Sequence, residues 1–145
     1  MQVQHILKNK ADDGVVTVSP TTLLRDAAKI LAERRIGTVV VSEDGETAVG
    51  ILSERDIVRV LSMRGASCLD AQVDEYMTRN LQTCARGDSA DDVLRRMTEG
   101  RFRHMPVLEE GRLVGLITIG DAVKARLTEL AMEKDALEGM LTNNW

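Results

Sequence analysis

Along this chain the spacing of apolar residues changes in a fixed order, and the order is run through twice. "VVTV" (Val15 to Val18) is a short β-branched run that stops at Ser19 and Pro20. From Thr21 to Arg35, Leu24, Ala27, Ala28 and Leu31 recur at helical spacing, behind Pro and Thr residues suited to a helix start. Gly37 to Ser42 is a continuous apolar run, which predicts a strand covered on both faces. Asp44-Gly45 in "EDGE" is a turn signal, "AVGIL" (Ala48 to Leu52) its partner strand, and "SERD" opens a second helix at Ser53. The second pass reads "LQTC" (Leu81 to Cys84), "SADDVLRRMTE" (Ser89 to Glu99), "RHMPVL" (Arg103 to Leu108), "GRLVGLI" (Gly111 to Ile117) and a helix from Ile119. The prediction is β-α-β-β-α, twice. Pro106 must stand where its missing N–H does no harm.

The two passes are copies. Thr17 and Thr83, Asp26 and Asp92, Leu31 and Met97, and Gly45 and Gly111 are 66 residues apart. Gly50, Ser53 and Asp56 match Gly115, Thr118 and Asp121 at 65. The lead-ins agree as well, "VQHIL" (Val3 to Leu7) with "VDEYM" (Val73 to Met77), and the first copy carries four extra residues around "ADDG" (Ala11 to Gly14). The units are read as 1–66 and 73–138, the last helix reaching about 141, with a turn at Ser62 to Asp70 between them. Units this short are marginal alone, so the copies are expected to pack on each other.

Composition narrows the function. Aromatic residues are 2% of the chain and the net charge is −4, which argues against base stacking and against a phosphate-backbone binder. Nucleic acid is not an expected partner. Cys68 and Cys84 fall in no metal-ligand spacing, so they read as reduced thiols, with no metal expected. The first residues lack the apolar stretch of a signal peptide and no segment is long enough to span a membrane, so a cytoplasmic location is expected.

Each copy ends its last strand in a hydroxyl followed three residues on by a carboxylate: Ser53 and Asp56, Thr118 and Asp121. One reading is a capping box at each helix start. The other is a grip: helix amides and the hydroxyl hold a phosphate, the carboxylate accepts from a ribose diol, and Gly50 or Gly115 lets a ligand approach the backbone. Occurring twice in register, the pair favours the grip.

"VGILSERD" and "VGLITIGD" resemble the Gly-x-x-Ser/Thr-x-x-Asp signature of the cystathionine-β-synthase (CBS) domain, and the β-α-β-β-α order and "RHMPV" fit the same family. Over residues 1 to 135 the chain is similar to a free-standing CBS pair, or Bateman module. The resemblance implies an α/β fold in which two repeats pack with pseudo-two-fold symmetry. It also implies a non-catalytic regulatory role: binding AMP, ADP, ATP or NAD in clefts between the repeats and sensing energy or redox state for an unidentified regulated protein. On that resemblance Ser53 and Asp56 serve one cleft, Thr118 and Asp121 the other. The first-strand ends (Thr17, Val18, Ser19; Thr83, Cys84, Ala85) face adenine, and Gly37, Thr38, Arg103, His104, Met105 and Pro106 belong to the middle strands lining the clefts. Arg103 and His104 either neutralise phosphate or form a solvated strand end; Arg55 either reaches phosphate or faces solvent. Because Ile119 and Gly120 stand where the first copy has Glu54 and Arg55, the clefts are expected to be unequal.

A small nucleotide-using enzyme is the rival class, with Asp56 and Asp121 as acid–base carboxylates. No nucleophile–base motif accompanies them, since His5, His104, Cys68 and Cys84 are scattered. A third class is an interaction scaffold without ligand. In the last helix Leu127, Leu130, Lys134, Leu137 and Leu141 fall three or four apart, a stripe suited either to the module itself or, as the family's pairing implies, to a homodimer.

Overall fold

The structure, a computed structural model, describes residues 1–10 and 14–143, so Ala11 to Asp13 of the first copy's insertion lie outside the described residues. Its elements run α1 (Val3–Asn9), β1 (Thr17–Val18), α2 (Leu24–Arg34), β2 (Thr38–Val41), β3 (Gly50–Ser53), α3 (Glu54–Arg64), two 3₁₀ turns (Ala66–Asp70 and Val73–Glu75), α4 (Ala90–Gly100), β4 (His104–Glu109), β5 (Arg112–Thr118) and α5 (Ile119–Asn143). In the first copy β1 pairs parallel to β2 and β2 antiparallel to β3; in the second, β4 and β5 form an antiparallel pair. The result is an α/β fold of two like units.

The helices form where the apolar spacing predicts. Leu24, Ala27 and Leu31 of α2 are buried, as are Ala90, Val93 and Met97 of α4, each set lining one helix face. All four residues of β2 are buried, as its unbroken apolar run requires. Both helices end in a left-handed arginine, Arg35 at φ 54° and Arg101 at φ 56°. Schellman-type bonds close the ends, Ile36 N to Leu31 O (3.1 Å) and Phe102 N to Met97 O (3.2 Å).

"LQTC" does not form a strand; it contracts to a single parallel bridge between Cys84 and Val107. The cause is Pro106. In the first copy the parallel ladder uses one amide of β2 and the one just after it, Val40 N to Val16 O (3.1 Å) and Ser42 N to Val18 O (2.9 Å). At the 66-residue offset their counterparts are Pro106 and Leu108. Leu108 donates to Cys84 O at 2.9 Å, but proline has no N–H for Gln82, so one rung is lost.

The lead-ins cross over. Val3 and Ile6 of α1 are buried with Cys84, Val93, Met105 and Ile117 in the second copy's core, whereas Cys68, Val73 and Met77 complete the core of Leu24, Val39, Leu52 and Ile57 in the first. Matching backbone bonds fix both crossings: Val3 N to Asp88 O (2.8 Å) and Gln4 N to Arg86 O (2.9 Å) answer Val73 N to Thr22 O (2.7 Å) and Asp74 N to Pro20 O (3.1 Å). Each core therefore needs a segment that precedes the other copy in sequence.

Candidate functional site

The two hydroxyl–carboxylate pairs sit where β3 runs into α3 and β5 into α5. Ser53 Oγ accepts from Asp56 N (3.2 Å), and Asp56 Oδ2 accepts from Ser53 N (2.9 Å) and Ser53 Oγ (3.1 Å). Thr118 Oγ1 accepts from Asp121 N (3.1 Å), and Asp121 Oδ2 accepts from Thr118 N (3.0 Å). Both capping boxes are thus present. The amide that follows each hydroxyl is taken by the start of a middle strand, Glu54 N by Gly37 O (2.9 Å) and Ile119 N by Arg103 O (2.8 Å). The next amides, of Arg55 and Gly120, have no partner among the described residues, so each helix mouth keeps one free donor.

Beside these mouths lie two cavities related by the internal symmetry, of whose walls only Thr118 among the four motif residues forms part. One, of 530 Å³, is lined by Val15, Val16, Ile36 and Thr38 of the first copy, Leu116 and Thr118 of the second, and Lys8 and Lys10. Its counterpart, of 540 Å³, is lined by Leu81, Gln82, Phe102, His104 and Pro106 with Ile51, Thr78 and Asn80. Between them a 470 Å³ median groove takes in Ser53, Glu54, Arg55, Asp56 and Thr118 beside Arg101, Arg103 and His104. Apolar walls with a few convergent polar groups, at these volumes, are the ordinary character of small-molecule sites. We call the first two the Val15 cleft and the Leu81 cleft.

Of the sequence-selected residues, Ser53, Arg55, Asp56, Gly37, Thr38, Arg103, His104 and Thr118 are brought together around the median groove, and Pro106 lines the Leu81 cleft. Val18, Cys84 and Met105 are buried in the cores, and Thr17, Ser19 and Thr83 line none of these cavities. Instead the chain presents Val15 and Val16, and Leu81 and Gln82, two residues earlier on each first-strand segment. Asp121 faces an outer groove between α1 and α5, where its Oδ2 accepts from Lys10 Nζ at 2.7 Å. The sequence reading missed Arg35 and Arg101, although they are identical residues at the repeat offset, and Phe102, which shares Ile36's place. It also missed Lys10, for which the sequence carries no signal.

Burial lowers the His104 pKa; Glu54 opposes this, while Lys10 and Arg103 add to it. His104 borders both clefts and the groove. Burial pushes the Asp121 carboxyl upward, but the hydrogen bonds from Lys10 and the Thr118 amide outweigh it and hold the group below the usual carboxylate range. Burial also pushes the Cys84 thiol to about 12, which leaves it inert. Among the described residues no cluster of three or more His, Cys, Asp or Glu side chains is placed to hold a metal.

The motif glycines have a packing use that the spacing alone does not show. A Cβ on Gly115 would lie 2.6 Å from Leu7 Cδ2, and a Cβ on Gly50 would collide with Met77 Sδ and lie 2.8 Å from its Cγ. Each glycine admits a lead-in side chain, and Gly115 also lines the Val15 cleft. Gly50→Ala is therefore expected to destabilise the fold by about 1 kcal/mol in urea unfolding. Combined with Met77→Ala, it should cost less than the two single changes summed, because the neighbour it strikes is gone.

Comparisons with known proteins agree with this geometry. The family model described as the CBS domain matches residues 7–63 and 73–128. An uncharacterized 17.7 kDa protein of Acidianus ambivalens is 33% identical over 124 residues, covering 85% of this chain and 74% of that protein. A CBS-domain containing protein from Agrobacterium tumefaciens superposes with a TM-score of 0.81 at 44% identity, over 87% of this chain and 99% of its own. A CBS domain protein from Pyrobaculum aerophilum, solved in complex with AMP, does so at 0.77 and 27%, over 91% and 99%.

Proposed function

The chain belongs to the CBS-domain family, and from that premise we propose that it is a regulatory, non-catalytic module that binds an adenosine nucleotide in the clefts between its two repeats. The observation that carries this is the pairing of Ser53 with Asp56 and of Thr118 with Asp121 at symmetry-related helix mouths, each with one amide unpaired among the described residues. On this reading the free amides and hydroxyls take phosphate and the carboxylates take ribose hydroxyls, Ser53 and Asp56 in the median groove and Thr118 and Asp121 beside the Val15 cleft, with the apolar walls at Phe102 and at Val15–Val16 receiving the base. The AMP complex of the Pyrobaculum protein supports the ligand class. The ligand is AMP, ADP, ATP or NAD, so the module reports energy or redox state to a regulated protein in the cytoplasm. No helix among the described residues is long and apolar enough to cross a membrane.

Calorimetry with each nucleotide, followed by chromatography of the recovered ligand, tests the reading. Binding without turnover is the expected result, with a melting temperature that climbs with ligand concentration. Silence across the panel defeats it, and conversion of the ligand would make the protein an enzyme.

The module is further proposed to act as a homodimer through α3 and α5. Val58, Leu127, Leu130, Leu137 and Leu141 are all exposed, and from Ala131 to Thr142 every residue of α5 is exposed. Pairing with a second copy covers the same residues on both sides. Leu130→Glu should shift the particle toward monomer in sedimentation. A wild type that already runs as a 16.0 kDa monomer at tens of micromolar, roughly where weak dimers hold, rules the dimer out.

A further inference from the structure

We propose that Lys10 makes the Val15 cleft selective for phosphorylated ribonucleosides, by screening the Asp121 carboxylate until a phosphate draws its ammonium away. The inference rests on the reading of the clefts as nucleotide sites. Lys10 Nζ donates to Asp121 Oδ2 at 2.7 Å and to Leu116 O at 2.9 Å, and less than a quarter of either side chain is exposed. The lysine borders both the Val15 cleft and the outer groove. Of the cavities described, Asp121 lines the outer groove and not the Val15 cleft, while the lysine bonded to it borders both, so the lysine stands between the carboxylate and the cleft. At the other mouth the buried Asp56 lines the median groove; its Oδ1 accepts from Arg59, which borders that groove but is 59% exposed, so this cation is held more weakly than Lys10.

The asymmetry has a residue behind it. Aligning the lead-ins as Val3 with Val73 puts Asn80 in the place of Lys10, and Asn80 lines the Leu81 cleft without charge. A ligand that has a ribose but no phosphate must compete with a half-buried, doubly bonded ammonium for Asp121, leaving that ammonium poorly solvated. A ligand with a phosphate supplies the ammonium with a new partner. The lysine stem is long and its three donors rotate freely, and Lys8 and Arg35 border the same cavity, so an anion is favoured there. Once Lys10 has moved, Asp121 is free to accept from the diol.

Calorimetry with adenosine and with ADP, on wild type, Lys10→Met and Lys10→Arg, tests this. Wild type should bind two ADP per chain but one adenosine. Lys10→Met should gain a second adenosine site and lose about tenfold in ADP affinity at one site, the loss of a single charge-assisted contact. Lys10→Arg should keep the wild-type selectivity, which a merely structural role would not require. Equal stoichiometry of adenosine and ADP on wild type overturns the inference without needing any variant to fold, and so does a Lys10→Met change that moves both ligands in the same direction. Binding of neither ligand to wild type removes the nucleotide reading itself, and this inference with it.

Discussion

Met77→Ala is expected to loosen the core of the first repeat, and Ile6→Ala that of the second, each by about 2–5 kcal/mol. By sequence the assignment is the reverse: Met77 precedes the second copy and Ile6 the first. The side chains decide it, since Met77 is buried with Leu24, Val39, Leu52 and Ile57, and Ile6 with Val93, Met97, Met105 and Ile117. Against a total stability of about 5–15 kcal/mol, either loss is visible in urea unfolding. Hydrogen exchange locates it. Amides of α2, β2 and β3 should lose protection in Met77→Ala, and those of α4, β4 and β5 in Ile6→Ala. The opposite pattern would mean that each lead-in packs on its own copy and that the crossing is wrong.

Asp56→Ala and Asp121→Ala are expected to weaken nucleotide binding one site at a time, each by about 1–3 kcal/mol, or about 5- to 150-fold. The affected sites are the median groove for Asp56 and the Val15 cleft for Asp121. Both carboxylates also cap helices, so each change should lower stability by about 0.5–2 kcal/mol. The two effects separate experimentally: the first is read from isotherms on folded protein, the second from unfolding without ligand. Variants that bind nucleotide as wild type does would leave capping as the whole role of the pair.

Several features were readable from residues alone. The duplication follows from offsets of 66 and 65, and α2, α4 and β2 follow from apolar periods that local packing enforces. The Ser53–Asp56 and Thr118–Asp121 pairs were legible as helix starts because capping is a contact over three residues. The contraction of "LQTC" was only half legible. Pro106 was visible, but the carbonyl that loses its rung, Gln82 O, lies on a distant segment identified only by the parallel bridge.

The sequence by itself determined the helices α2 to α5, the strands other than the expected one at "LQTC", their repetition and the residue types of the two junctions, since these depend on residues within a helical turn or a strand alternation of one another. Tertiary structure alone decided which copy each lead-in completes, why Gly50 and Gly115 have no side chain, and that Lys10 reaches Asp121 across 111 residues. The reason is physical. Local order is written in spacing, because neighbouring residues share one backbone geometry. A contact across the chain depends on how two packed units sit on each other, and no periodicity in either unit records that.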